Sequence, residues 1–187
     1  GNEAKIWGGL FAWDSHYSGK GDFWRDLWQV VSRHTWESPQ TGLGVLLAQG
    51  RNILGNVTDV SYFGGATLVN RDNPDAIPSG MTLGSFILGT NLKVNTDDWT
   101  FMHEYGHVRQ SMCWGPLYLP LPALFSGVDM LSNWNDPWPD NPKFIKHDIR
   151  WYETQANRKS SRYFEKYYDV KWEDRLNPRS KKIAKGL

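Results

Sequence analysis

The segment His103-Glu104-Tyr105-Gly106-His107 constrains this chain more than any other stretch of it. Two histidines four residues apart act together only when the backbone between them is helical, which puts them one turn above each other on one face. Both imidazoles can then aim at a single tetrahedral ion, with zinc–nitrogen distances of about 2.0–2.1 Å. Glu104 lies about 100° around the helix from His103. That is too far round to join as a ligand, but it suits a hydrogen bond to a water on the ion, the arrangement of a general base beside a Lewis acid. The flanks agree. Asn95-Thr96-Asp97-Asp98 offers capping side chains and acids for the positive end of a helix. Gly115-Pro116 offers a stop, so a helix is predicted through about Met112. Gly106 costs about 1 kcal/mol against alanine inside a helix, which predicts that another backbone or strand packs closely there.

A catalytic zinc usually takes three protein ligands and leaves the fourth position to water. One large class of such enzymes has a glycine three residues, and a histidine six residues, after the second histidine. Gln110 and Cys113 occupy those positions here, so that class is excluded. Cys113 would point away from the His103/His107 face of a continuing helix and reads as a small buried hydrophobe. Glu153 is the better third ligand. A helix is predicted over 149–168, with Ile149, Tyr152, Glu153, Ala156, Ser160, Tyr163 and Tyr167 recurring at steps of three and four. An unpaired carboxylate on that stripe would be costly to bury, and a metal would resolve the cost. The competing readings are a surface acid paired with Arg150 or Arg158, or His147 as the ligand, with Glu165 and Glu173 behind it. Asn157, one turn after Glu153, can hydrogen-bond the far nitrogen of a metal-bound imidazole.

Elsewhere the pattern predicts a helix over 21–36, with Phe23, Leu27, Val30 and Val31 on one stripe and Pro39 closing it. A second helix over 40–54 is weakened by three glycines. Residues 57–69 and 81–88 favour extended structure, which predicts an antiparallel pair joined by the turn-rich segment 70–80. Residues 117–126 are apolar and interrupted by proline, and Asn141-Pro142 signals a later helical start.

With 187 residues and no internal repeat, one domain is expected over 1–187. Its metal region spans about 95–168, and a basic tail about 175–187. A net charge of +1 implies no bulk attraction to nucleic acid or to an anionic membrane. There is no apolar run long enough for a transmembrane segment. Cys113 is the single cysteine, which rules out an intramolecular disulfide and Cys₄ zinc sites. The 11 Trp, 8 Tyr and 8 Phe are read as packing residues before ligand contacts. Asn56-Val57-Thr58 fits a glycosylation sequon and carries little weight. The start at Gly1-Asn2-Glu3 reads as a trimmed end, which leans toward an extracytoplasmic or secreted setting.

His103-Glu104-Tyr105-Gly106-His107 followed by Glu153-Thr-Gln-Ala-Asn157 resembles the gluzincin branch of the zincin metallopeptidases. Gly115-Pro-Leu-Tyr-Leu-Pro120 is also similar to small, poorly characterised bacterial zincin-like proteins. The resemblance covers about 100–168 and leaves the first 56 residues unmatched. It implies Zn²⁺ bound by His103, His107 and Glu153, Glu104 as the base, and Asn157 supporting an imidazole. The gap from His107 to Glu153 is longer than in the best-known gluzincins. Tyr118, His147, Arg150 and Tyr152 could each stabilise an oxyanion, and spacing singles out none of them. The implied fold is α+β and zincin-like, mainly helical, with a small, mostly antiparallel sheet packed on the motif helix. The expected activity is hydrolysis of a peptide or protein substrate. Alternatives are a zinc hydrolase acting on another amide, a Trp-rich binding module with structural zinc, and a latent or toxin-like protease domain cut from a longer chain.

Overall fold

Two short turns organise the sheet. Gly64 and Gly65, at φ +56° and +81°, join β1 (Asp59–Phe63) to β2 (Ala66–Arg71) as an antiparallel hairpin. Gly84, at φ +60°, and Ser85 do the same for β3 (Ser79–Leu83) and β4 (Phe86–Thr90). Two-residue loops with positive φ match the twist of the strands they connect. The computed structural model describes residues 1–19, 22–120 and 151–171.

The strand order is β1-β2-β4-β3, with β2 and β4 parallel from Thr67 beside Phe86 to Arg71 beside Thr90. The architecture is therefore α+β around a small mixed sheet, and two expectations are corrected. Each stretch read as one strand is a hairpin, and β2 and β3, joined by the 72–78 connection, are not neighbours. Gly-Gly and Gly-Ser are themselves hairpin signals, but they lie inside apolar runs that read as continuous strands.

Strands β2 and β4 are buried on both faces, as parallel neighbours usually are. Alternation along them divides the core. Ala66, Leu68 and Ile87 face a cluster with Phe101, Met102 and Tyr105 of α5 (Trp99–Trp114) and Phe164 of α6 (Trp151–Tyr168). Val69, Phe86 and Leu88 face Ile6 of α1 (Asn2–Gly8) and Val45 and Ala48 of α4 (Ser38–Ile53). Helix α5 starts where its capping residues predict, with Asp98 accepting the Phe101 N–H at 3.0 Å.

The N-terminal helices depart from expectation. A short helix α2 (Asp14–Ser18) precedes α3 (Phe23–His34), which begins on Asp22 as its N-cap. Pro39 lies in the first turn of α4 instead of closing α3, a position where its missing N–H costs nothing. Helix α3 also turns the polar residues Gln29, Ser32 and Arg33 inward and leaves Phe23, Leu27 and Val31 outside. The Arg33 guanidinium donates to the carbonyls of Gly9, Ala12 and Gly65. Burial lowers its pKa to about 10, with Glu37 offsetting part of the effect. Those distant carbonyls fix which way α3 faces.

Candidate metal centre

Gly106 lets α5 and α6 meet. A Cβ there would lie 2.2 Å from the carbonyl oxygen of Ala156, so only glycine permits this approach. This is the close backbone predicted from the sequence. Ser160, one turn further along α6, donates to the Met102 carbonyl. The described part of the expected stripe on α6 faces inward: Tyr152, Glu153, Ala156, Ser160 and Tyr163 are buried and Tyr167 is half-buried, while Ile149 lies outside the described residues.

The packing sets Glu153 opposite both histidines. Nε2 of His103 and Nε2 of His107 lie 3.0 and 3.1 Å from the same oxygen, Glu153 Oε2. One ligating atom from each of the three residues falls within 4.8 Å of the others. A tetrahedral zinc with bonds of about 2.0–2.1 Å holds its ligand atoms about 3.3 Å apart. The carboxylate–imidazole spacings fit that with a small outward adjustment.

Tautomers decide what this triangle needs. The Trp114 indole N–H, a donor only, donates to Gln155 Oε1 at 2.7 Å. The Gln110 amide nitrogen donates to Gln155 Oε1 and to the Tyr152 carbonyl, each at 2.9 Å. Gln110 must then turn its oxygen to His107 Nδ1, 2.9 Å away, so that nitrogen carries the hydrogen. His103 Nδ1 makes the equivalent bond to Asn157 Oδ1 at 2.7 Å. Neutral imidazoles held this way present Nε2 lone pairs to a carboxylate oxygen. Three electron-rich atoms then converge, and only a cation among them relieves the repulsion.

Protons are one remedy. Burial opposes a charge on His103, yet the hydrogen bond and negative charge of Glu153 raise its pKa to about 9. His107 is raised too, against burial, by the Glu153 charge. Burial pushes Glu153 up, but the His107 charge and the hydrogen bonds from both rings hold it well below the usual carboxylate range. A divalent metal is the other remedy, and two imidazoles with one carboxylate are a donor set that suits zinc.

Glu104 is buried beside this triangle, and its charge contributes to raising both imidazoles. The Thr82 hydroxyl of β3 lies 2.7 Å from Glu104 Oε2 and 3.1 Å from the Glu104 carbonyl. Gly80, on the same strand, makes room: a Cβ there would meet Glu104 Cγ at 2.6 Å. Tyr118 is buried and donates to the Thr82 carbonyl at 3.2 Å. Trp99 sets its ring edge-on to His103, with centroids 5.3 Å apart.

The structure thus brings His103, His107, Glu153, Glu104 and Asn157 together. Exposed Glu165 stands three turns along α6 from Glu153. His147, Arg150 and Glu173 lie outside the described residues, as do 121–126 of the apolar stretch and Asn141-Pro142. Cys113 corrects an expectation: it is exposed, and Lys159 donates to its sulfur at 3.0 Å. Gln110 and Thr82 were missed. Gln110 carried a signal, since i+3 from His107 is the same helix face; Thr82 carried none, because strand and helix meet only in three dimensions. Compared with protein-family models, with characterised proteins and with solved structures, the chain matches none of them.

Proposed function

We propose that this chain is a zinc-dependent peptidase of the gluzincin type, with His103, His107 and Glu153 as metal ligands and Glu104 as general base. One observation carries the reading: two imidazoles with their Nδ1 atoms already committed turn Nε2 onto one buried carboxylate oxygen. Zinc bound there would supply a water acidified toward a pKa of about 7 and a Lewis acid for the scissile carbonyl.

The chain's own residues do the rest. The Glu104 carboxylate takes a proton from the attacking water and returns it to the leaving amine. Thr82 steadies Oε2 of that carboxylate, and Gln110 and Asn157 hold the two imidazoles in the ligating tautomer. Among the described residues β3 is an edge strand, partly exposed over Ser79–Met81, and it lies alongside Glu104. An extended peptide pairing with that edge would bring its backbone to the base, which favours a peptide substrate over other amides.

Three ligating residues among those described leave a position open, whereas structural zinc usually takes four. A buried glutamate next to the ligands also has no use in a structural site. The test is to compare wild type with Glu104→Gln for zinc content and for cleavage of a quenched peptide library. The reading expects both proteins to hold zinc and only wild type to cleave. Wild type loaded with zinc and cleaving no faster than the variant would overturn it.

A further inference from the structure

The exposed part of the sheet edge ends where Tyr118 begins. The Thr67 N–H donates to the Ser85 carbonyl at 2.8 Å, and the Asn91 N–H to the Arg71 carbonyl at 2.9 Å. Hydrogen-bonding direction alternates along a strand, so the odd-numbered residues from Ser85 to Asn91 turn their backbone groups toward β2. Phe86, Leu88 and Thr90 turn theirs toward β3, where they face Leu83, Met81 and Ser79. The N–H and C=O groups of Gly80 and Thr82 therefore aim outward, along the edge. Those two residues also flank the base: a Cβ on Gly80 would meet Glu104 Cγ at 2.6 Å, and the Thr82 hydroxyl lies 2.7 Å from Glu104 Oε2. The Thr82 carbonyl, however, already accepts from the Tyr118 hydroxyl at 3.2 Å, and Tyr118 is only 2% exposed. Exposure along β3 changes at the same point. Ser79 and Gly80 are half-buried and Met81 is exposed, whereas Thr82 and Leu83 are buried.

We infer that Tyr118 sets the register of a peptide on β3, holding it to pairing through Gly80 and stopping it short of Thr82. The inference rests on the peptidase reading and narrows how its substrate is held. A peptide added to a sheet edge takes its affinity from main-chain hydrogen bonds. Whether it runs parallel or antiparallel to β3, successive outward carbonyls of the edge accept from peptide N–H groups two residues apart. Gly80 offers the first such carbonyl, and the second, on Thr82, is taken. To reach it a peptide would have to drive a buried ring from its place, and one backbone hydrogen bond contributes less than burial of an aromatic ring does. The opposite direction is different. Past Ser79 the edge runs to Pro78, which lines one cleft with Lys93, Asp98, Trp99 and Thr100. Trp99 also sets its ring against His103, so the cleft adjoins the metal centre. Peptide residues on that side have a cleft to follow, whereas on the Thr82 side the first pairing position is already filled.

The test takes one peptide that zinc-loaded wild type cleaves and methylates its backbone nitrogens one at a time, leaving the cleaved bond unmodified. Each loss in kcat/KM is a ratio to the unmodified peptide on the same protein, so any effect of a substitution on the overall rate cancels. Wild type should show a sensitive nitrogen whose neighbour two residues away on one side is indifferent to methylation. In Tyr118→Ala that neighbour should become sensitive by about 3- to 10-fold, the contribution of one backbone hydrogen bond. Tyr118→Phe keeps the ring but frees the Thr82 carbonyl, and it should show the same gain to a smaller degree, which covers the case in which alanine does not fold. A profile unchanged in both variants would overturn the inference. Variants that retain zinc yet cleave nothing would overturn it too, by making Tyr118 part of the chemistry. Zinc-loaded wild type that cleaves no peptide at all would instead overturn the peptidase reading, and this inference with it.

Discussion

Gly106 of α5 and Ala156 of α6 approach so closely that a methyl group on the glycine would sit 2.2 Å from the alanine's carbonyl oxygen. The contact lies between His103 and His107 on one helix, and one turn from Glu153 on the other. It therefore sets the distance across which the three candidate ligands face each other.

Gly106→Ala should consequently destabilise the protein, although alanine is the better helix former by about 1 kcal/mol. The obstruction is backbone, which cannot swing aside, and overpacking of this kind costs about 1–3 kcal/mol. Urea denaturation would measure the loss. Zinc affinity should fall with it, because prising α6 outward draws Glu153 from the imidazoles.

Gln110→Leu should weaken zinc binding about 10- to 100-fold, as loss of the partner of a metal-bound imidazole typically does. It should also release His107 into a mixture of tautomers, visible in nitrogen-15 spectra of the imidazole. Gln110→Glu retains an acceptor for Nδ1–H but turns its second oxygen onto the Tyr152 carbonyl and Gln155 Oε1, so it should restore the tautomer while recovering only part of the affinity. A purely structural role for Gln110 would leave the His107 tautomer unchanged in the leucine variant.

Protonation and metal binding should pull in opposite directions with pH. The folded pKa of His103, about 9, stands above that of a free imidazole, near 6.5. In protein stripped of metal, its stabilising contribution is complete below about pH 6.5 and is lost as pH climbs through about 9. Zinc has to displace those protons, so its apparent affinity should rise over the same window, with protons released on binding. Denaturation of chelator-treated protein at both ends of the window checks the first trend. Zinc titration calorimetry in buffers of different ionisation enthalpy checks the second.

Much of the site was legible because it obeys local periodicity. Two histidines four apart, capped by Asp98, predict one face of α5, and Glu153 breaks an apolar stripe on α6 in a way that calls for a partner. Gly106 announced a close neighbour through its cost alone. The sheet was harder, since Gly64-Gly65 and Gly84-Ser85 interrupt runs whose composition is uniformly strand-like. The direction of α3 was not legible at all. Periodicity reveals that a stripe exists and says nothing of which way it faces; here the carbonyls of Gly9, Ala12 and Gly65 decide that by claiming Arg33. Thr82 reaches Glu104 only because β3 is the sheet edge beside α5.

Glu104→Gln should reduce peptide cleavage by about 10²- to 10⁴-fold, the usual contribution of a general base. Thr82→Val should lower the rate less, and Thr82→Ser, which keeps the hydroxyl, should recover most of it. Steady-state rates on one cleaved peptide would rank the three variants.

The most direct measurement is the metal content of purified protein by mass spectrometry, for wild type and for His107→Ala and Glu153→Ala. About one zinc per chain is expected in wild type, the stoichiometry of a three-ligand site, with most of it lost from both variants. Wild type that takes up no transition metal after incubation with zinc, or variants that keep it undiminished, would contradict the account.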